Sequence, residues 1–398
     1  MSDDILITFN PGSSSIKLGL FAMEPAGPRR LGRGEIDLRH PPLALHIVEG
    51  PVILDIPLAA HLTEDLHEVI GETLDWLGHH FAVDAIHAVG HRVVHGGDRF
   101  GGPTEITPEV LAAIADLVPL APLHQPHSVR LMRALAAIRP DVPQYASFDT
   151  AFHRTQADLV RRFALPRELF DAGIKRYGFH GLSYKFIAGR LAEVAPDLAK
   201  RRVLTAHLGS GASICAMLDG KSRDSSMGFS TLDGVPMATR PGALDAGVLL
   251  HLVQQLGWSV DRVEDLLYHR SGLIGMSGIS ADSRDLVASA APEAVEALAV
   301  FALRVARELS AAATTIGGVD ALVFTAGIGE HQPPIRAAIC AHLAWLGVDI
   351  DADANAANVL RISTAGSPVT VFVLPTDEEQ VIATEAAGLY AGRDGKTA

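Results

Sequence analysis

The sequence predicts an α/β protein and suggests, without settling, a duplicated core, on three observations. Short β-rich runs alternate with helical patterns along the whole chain. An apolar strand running into a Gly-Ser turn and a second strand occurs near the start of each half. The composition, 48% apolar and 20% charged over 398 residues, supplies buried cores for two or three lobes and gives no reason for disorder.

Taken in order, strands are expected at Ile5 to Phe9, Lys17 to Phe21, Ala85 to Val89, Gln144 to Phe148, Val203 to His207, Ser213 to Leu218, Ala321 to Thr325 and Val369 to Leu374. Apolar spacing of three and four residues places helices at Glu64 to His80, Pro108 to Leu117, His127 to Ile138, Ser183 to Val194, Ala243 to Leu256, Pro292 to Ile316 and Glu378 to Tyr390. The internal echo aligns Ile7-Thr8-Phe9-Asn10-Pro11-Gly12-Ser13 with Leu204-Thr205-Ala206-His207-Leu208-Gly209-Ser210. Short Gly-Ser turns also recur by chance, so the echo alone leaves duplication open. No low-complexity linker is present, and the boundary is placed near Ala151, after a strand ending in Asp149.

Lys and Arg number 33 against 46 Asp and Glu, a net charge of −13. Such a field repels nucleic acid and anionic membranes, so neither is expected as a partner, and an anionic substrate must be held by a few local cations. Two cysteines, Cys215 and Cys340, suit a reducing compartment. Asp3 and Asp4 stand where a signal peptide has a basic region, and Glu293, Glu296, Arg304, Arg307 and Glu308 interrupt the most apolar long segment. A cytoplasmic location is expected.

The common nucleotide motifs fail. Gly220-Lys221-Ser222 lacks the leading Gly of a P-loop, since Cys215 holds that place, and neither Gly209-Ser210-Gly211 nor Gly327-Ile328-Gly329 completes a dinucleotide fingerprint. What remains is three Gly/Ser turns at strand ends, whose N–H groups suit phosphate oxygens: Asn10 to Lys17, His207 to Ser213 and Gly327 to His331. In the first, Asn10 suits a metal's water shell and Lys17 supplies a point charge; a plain polar hairpin turn is the alternative. Charged groups also gather at strand ends: Arg92 in His91-Arg92-Val93-Val94-His95, Asp149 after Phe148, and Arg240 before Pro241. For each alone, a structural ion pair competes with a catalytic role. His87, His91 and His95 are spaced by four, a metal pattern only on a helix, and the segment reads as strand and loop. Thr376 and Glu379 fit a capping box, leaving Glu378 to face a bound Mg²⁺.

Together, Asn10 to Lys17, His-Arg-Val-Val-His-Gly-Gly from His91, Phe-Asp-Thr-Ala-Phe-His from Phe148 and Arg-Tyr-Gly-Phe-His-Gly from Arg176 closely resemble the acetate kinases, and later motifs at His207, Met227 to Gly242, Gly327 to Glu330 and Glu378 continue the match. The resemblance implies a duplicated ribonuclease-H-like, two-lobed fold of the actin, sugar kinase and heat-shock ATPase type. It implies a first lobe over 1–150, completed by a C-terminal helix over 380–398, a nucleotide-binding lobe over 151–379, a cleft between them, and a homodimer.

Carried over by motif, Asn10 and Glu378 would hold Mg²⁺, Asp149, His180 and Arg240 would be catalytic, and Arg92 would bind the acetate carboxylate. Val94, Leu123, Phe179 and Thr231 would surround the acetate methyl group. Nucleotide would meet Lys17, His207, Leu208, Gly209, Ser210, Gly211, Asp282, Ser283, Arg284, Gly327, Ile328, Gly329, Glu330 and His331. The implied reaction is Mg²⁺-dependent, reversible phosphoryl transfer from ATP to acetate, giving ADP and acetyl phosphate. Acetate is ionised at neutral pH, with a pKa of about 4, so its attack needs no general base and Asp149 reads as an organiser.

The chain departs from the family at Ser210, His331 and Asp377, each usually Asn, and in Pro241 to Ala246, which loses an acid and gains a Pro. Thr231 replaces a usual Pro, which predicts a slightly wider, more adaptable pocket. A propionate or butyrate kinase, or a non-transferring ATPase on the same fold, are the competing expectations.

Overall fold

The computed structural model describes residues 4–12, 15–38, 42–61, 66–81 and 86–394. The expected motif residues Ser13 and Ser14, the helix-start residues Glu64 and Asp65, and Ala85 lie outside them. The chain divides into two compact units, one formed by Met1–Phe152 with Asp377–Ala398 and the other by His153–Thr376.

The first unit is built on an eight-stranded sheet. Its strands are β1 (Ile5–Pro11), β2 (Ser15–Glu24), β3 (Gly27–Asp37), β4 (Ala44–Glu49), β5 (Val52–Pro57), β6 (Ile86–Val93), β7 (Thr104–Glu105) and β8 (Gln144–Phe148), in the order β5-β4-β3-β2-β1-β6-β8-β7. β1 through β5 run antiparallel to one another in turn, while β6 is parallel to β1 and β8 is parallel to β6. Strand periodicity divides β1 between two cores. Ile5, Ile7 and Phe9 pack with Val69, Ile70 and Leu77 of the helix His67–His80 and with Leu131 and Leu135 of the helix Gln125–Ile138. Leu6 packs the other way, with Ala88, Tyr145 and the residues Ala383 and Ala386 of the last helix, Glu378–Asp394. That helix approaches β6 closely: a Cβ on Gly90 would stand 2.7 Å from Ile382 Cγ2. Glycine there brings the helix, and Glu378 at its start, down onto the strand.

The second unit carries β9 (Arg202–Leu208), β10 (Ala212–Leu218), β11 (Lys221–Ser225), β12 (Ala321–Thr325) and β13 (Thr370–Val373), in the order β11-β10-β9-β12-β13. β9, β10 and β11 are antiparallel, and β12 is parallel to both β9 and β13. This repeats, in order and direction, the β3-β2-β1-β6-β8 portion of the first sheet. β1 and β9, the two strands of the sequence echo, occupy the same central place, which bears out the duplicated core. The helix Pro292–Ile316 packs on β9, β10 and β11 through Ala297, Phe301, Val305, Leu309 and Ala312, spaced by three and four. Proline at its first position and Gly317 at φ 73° bound it. Among the described residues no helix is long and apolar enough to cross a membrane.

Two local expectations change. His91 and Arg92 lie within β6 and not after it. The last helix is capped by Asp377, whose carboxylate accepts from the Gln380 N–H at 3.0 Å, in place of the expected Thr376–Glu379 box; Thr376 instead pairs through Oγ1 with Ser183 Oγ at 2.9 Å.

Candidate active site

In the first unit, adjacent parallel strands deliver Arg92 and Asp149 to one edge. Arg92 comes from the end of β6 and Asp149 follows β8, whose Ser147 and Phe148 pair with Arg92 and Val93. Arg92 grips Asp149 with a fork, Nη2 donating to Oδ2 at 2.6 Å and Nε to Oδ1 at 3.2 Å. Arg92 Nη1 also donates to Asn10 Oδ1 at 3.2 Å, and Asn10 Nδ2 donates to Glu378 Oε2 at 3.0 Å. Asp149 is 1% exposed and Arg92 16%. Burial opposes the Arg92 charge, but Asp149 and Glu378 outweigh it and hold the guanidinium above its ordinary range. Burial, with Glu378 adding to it, raises the Asp149 carboxyl against the pull of Arg92. Two carboxylates thus face one guanidinium, a local excess of negative charge surrounded by oxygen donors.

The neighbouring histidines are structural. His91 is buried with Nε2 against Gln144 Oε1 at 2.8 Å and its ring stacked on Phe9. The His95 Nδ1 accepts from the Gly97 N–H at 3.0 Å. Burial pushes each down to about 4, so both are neutral. Val94 is buried and Leu123 half-buried, while Lys17 is exposed on β2.

In the second unit, the turn between β9 and β10 carries Gly209, Ser210 and Gly211, and two of the expected site side chains converge on its last residue. A Cβ on Gly211 would lie 2.8 Å from Arg240 Nη2 and 3.3 Å from His180 Nε2. Glycine is what permits that approach. Arg240 donates through Nη1 to the Thr231 carbonyl at 2.8 Å, and among the described residues it forms no ion pair with a carboxylate. Burial lowers its pKa to about 10, with Tyr268 opposing; the half-buried guanidinium is therefore still charged at neutral pH, with no carboxylate partner among the described residues.

Its backbone is fixed from several sides. Ser271 N donates to Thr239 O at 2.9 Å, Leu273 N to Met237 O at 2.9 Å, and Ala238 N to Ser210 O at 3.1 Å. Thr231 is held at both ends, its carbonyl by Arg240 and its hydroxyl by Tyr268.

His180 has φ 56°, left-handed for a residue with a side chain, at the start of the helix Gly181–Val194. Its Nδ1 lies 2.8 Å from Ser213 Oγ, which also contacts the Tyr184 hydroxyl. The ring stacks on His207, centroids 4.1 Å apart and 16° from parallel. His207 in turn has Nδ1 2.8 Å from Ser183 Oγ. Phe179 is fully buried beside it in sequence.

The other expected nucleotide segments also lie in this unit. Gly327 to His331 form the helix Ala326–His331 directly after β12. Glu330 turns inward, accepting from the N–H groups of Ala326 at 2.8 Å and Thr376 at 3.2 Å, so its carboxylate shapes the turn; His331 is 73% exposed. Asp282 caps the helix Ser283–Ala288 and pairs with the exposed Arg284. The first unit thus brings together Asn10, Arg92, Asp149 and Glu378, and the second His180, His207, Gly211 and Arg240. Ser183, Tyr184, Ser213 and Tyr268, which hold the second group in place, carry no sequence spacing that singles them out.

A family model described as the acetokinase family matches residues 5–384. The acetate kinase of Rhodopseudomonas palustris is 47% identical over 396 residues, covering 98% of this chain and 99% of that protein. That of Rhizobium meliloti is 47% identical over 392 residues, covering 98% and 99%. Among solved structures, a propionate kinase from Francisella tularensis matches at TM-score 0.90 and 34% identity, covering 97% of this chain and 99% of that one. Porphyromonas gingivalis acetate kinase matches at TM-score 0.85 and 34% identity, with 97% and 99% covered.

Proposed function

Because the chain belongs to the acetokinase family, we propose that it catalyses Mg²⁺-dependent, reversible transfer of the γ-phosphoryl group of ATP to acetate. The observation that carries this reading is the half-buried Arg240 guanidinium, with no carboxylate partner among the described residues, which approaches Gly211 together with His180 Nε2. A phosphoryl group in transfer spreads negative charge over its equatorial oxygens, and preorganised donors in a dry site stabilise that charge most strongly.

In the reaction a carboxylate oxygen of acetate bonds to the γ-phosphorus as the bond to the β-phosphate oxygen breaks, and ADP leaves. No proton moves. Arg92 binds the acetate carboxylate, and Asp149 fixes the orientation of Arg92 through the paired bonds. Arg240 and His180 donate to the phosphoryl oxygens. The turns at His207 to Gly211 and Gly327 to His331 offer N–H groups to the nucleotide, with Lys17, Asp282, Ser283 and Arg284 as further contacts.

Asn10 and Glu378 would hold Mg²⁺: they offer oxygen donors beside a net negative cluster, and Mg²⁺ takes one or two carboxylates while keeping positions for water and phosphate. When bound, it neutralises charge on the phosphates.

In this reading Val94, Leu123, Phe179 and Thr231 are each assigned as contacts of the acetate methyl group. One methylene is worth about 0.8 kcal/mol if buried, and steric rejection supplies roughly 10- to 200-fold, so acetate leads, propionate is measurable and butyrate is poor. A homodimer is supported by the helix Ala246–Gln254, where Val248 and Leu250 are 41% and 57% exposed and no residue is buried. A cytoplasmic location is in keeping with two buried free thiols, Cys215 and Cys340.

The test is a hydroxamate assay with coupled ADP detection across acetate, propionate and butyrate. Acetyl hydroxamate that requires ATP, Mg²⁺ and acetate is expected. ATP hydrolysis indifferent to acetate, with no acetyl phosphate formed, would make this a non-transferring ATPase.

A further inference from the structure

The parallel pairing of β6 with β8 ends where Val93 meets Phe148, and the Asp149 N–H donates to the Val93 carbonyl at 3.0 Å. Beyond that point Val94, His95 and Gly96 run on, outside any strand and buried. Buried backbone N–H and C=O groups have to be paired, and here side chains take over from the sheet. Gln125 Oε1 accepts from the His95 N–H at 3.1 Å, and Gln125 Nε2 donates to the His95 carbonyl at 3.0 Å. One amide thus serves both backbone groups of His95, as a residue of a neighbouring strand would. Thr150 Oγ1 accepts from the Gly96 N–H at 2.9 Å, and Ser128 Oγ donates to the Arg92 carbonyl at 3.1 Å.

Gln125 and Ser128 stand three residues apart, on one face of the helix Gln125–Ile138, and are 0% and 1% exposed. The amide is anchored on a third side as well, because Nε2 also donates at 3.2 Å to the carbonyl of Ile114, in the last turn of the helix Pro108–Ala115. Removing it would leave buried polar groups without partners, the costly way to lose a hydrogen bond.

Both residues hold backbone that carries the acceptor contacts. Arg92 and Val94 belong to the segment they pin, and Leu123 lies two residues before Gln125. A single amide therefore joins the backbone bearing Val94 to the backbone bearing Leu123, while a hydroxyl on the same helix face fixes the backbone of Arg92.

We propose that Gln125 and Ser128 are positioning residues for the carboxylic acid acceptor. Gln125 sets the placement of Val94 relative to Leu123, and with it the length of acid accepted; Ser128 sets the reach of Arg92 toward the carboxylate. This rests on the acetate kinase reading and names what holds its acceptor contacts in place.

The experiment compares Ser128→Ala, Gln125→Met and Gln125→Glu in the full-length protein, with acetate and propionate as acceptors. Hydrogen exchange over Arg92 to Gly97 gives a readout that needs no turnover. Methionine removes both amide contacts. Glutamate keeps the size and an accepting oxygen for the His95 N–H but has no donor for the His95 carbonyl when ionised, and it serves if the methionine variant does not fold.

Ser128→Ala is expected to raise KM for acetate and propionate alike by about three- to tenfold, the size of one lost hydrogen bond, with KM for ATP unchanged. The Gln125 variants are expected to narrow the preference for acetate over propionate in kcat/KM by about fourfold, the worth of one buried methylene. KM for ATP should again hold, and exchange at His95 should quicken. An acetate-to-propionate ratio unmoved in the Gln125 variants, or a wild-type KM for acetate in Ser128→Ala, would overturn the proposal. Losses spread evenly over both acids and ATP would overturn it too, by reducing the two residues to packing. A wild type that forms no acyl phosphate from either acid defeats the kinase reading itself, whereas an active wild type with unmoved variants defeats only the positioning role.

Discussion

Replacing Gly211 by alanine adds a single methyl group at the place where Arg240 and His180 converge. That methyl would stand 2.8 Å from Arg240 Nη2 and 3.3 Å from His180 Nε2. Bringing the nearer contact to an ordinary 3.4 Å, the lower limit of van der Waals contact, moves the guanidinium by about 0.6 Å, and a displacement near 1 Å can cost about 100-fold in rate. A drop in kcat of about 10- to 100-fold is therefore expected. The yielding atom is the end of a flexible side chain, and Gly211 does not have a positive φ, so folding loses little. Alanine also restricts the unfolded chain, worth about 0.4–1 kcal/mol toward stability, and Tm should change by no more than about 2 °C. Steady-state kinetics with thermal unfolding separate the two effects, with Gly102→Ala as a control because a Cβ there meets nothing within 4 Å. Turnover of Gly211→Ala equal to that of the control would refute the convergence as the basis of catalysis.

Arg240→Ala should lower kcat by about 100- to 1,000-fold while KM for acetate changes little; near-normal turnover in a folded variant would remove Arg240 from the mechanism. Asp149→Asn should lower kcat on the order of 10- to 100-fold at every pH, partly recovered at high Mg²⁺; a wild-type rate that rises along one carboxylate titration, lost in the variant, would instead mark Asp149 as a base. Val94→Ala should narrow the gap in kcat/KM between acetate and propionate, and an unchanged ratio would place Val94 outside the acceptor pocket. Burial holds His91, His95 and His153 down to about 4, so the unfolded chain takes up their protons first, near pH 6.5. Their stabilisation, about 3 kcal/mol each, is complete above that pH and is lost as pH falls toward 4. Tm measured between pH 7 and 4.5 should fall less steeply in His91→Gln than in the wild type, and parallel slopes would discount His91.

The sequence showed most where one element had one clear pattern. β8, β12 and the helix Pro292–Ile316 keep their expected limits, because continuous apolar runs or a long three-and-four spacing leave one reading. β3 was missed: Gly27, Pro28, Arg29, Arg30 and Arg33 dilute its alternation, and pairing with β2 supplies what propensity lacks. β11 was missed although its signal was present. Asp219 and Gly220, at φ 54° and 66°, are a tight hairpin turn of the Asp-Gly kind, and Gly220-Lys221-Ser222 also resembles the end of a phosphate loop. In the site, Asn10, Arg92, Asp149 and Glu378 were legible through their motifs. Ser213 and Tyr184 were not, since one hydroxyl on a strand and one on a helix become partners only when both elements pack.

The last helix gives the first unit an unusual birth order. Asn10 and its partner Glu378 are separated by nearly the whole chain, and the apolar face formed by Leu6, Phe21 and Ala88 is covered by Ala383 and Ala386. On the ribosome, the span from Phe152 to Asp377 takes on the order of 10–45 s to synthesise, and a first sheet formed within that time would have one oily side bare. The wait is an opportunity for chaperone capture and for misassembly between neighbouring nascent chains. The helix that ends it brings the covering side chains and Glu378 together, so a chain stopped short of it would lack both.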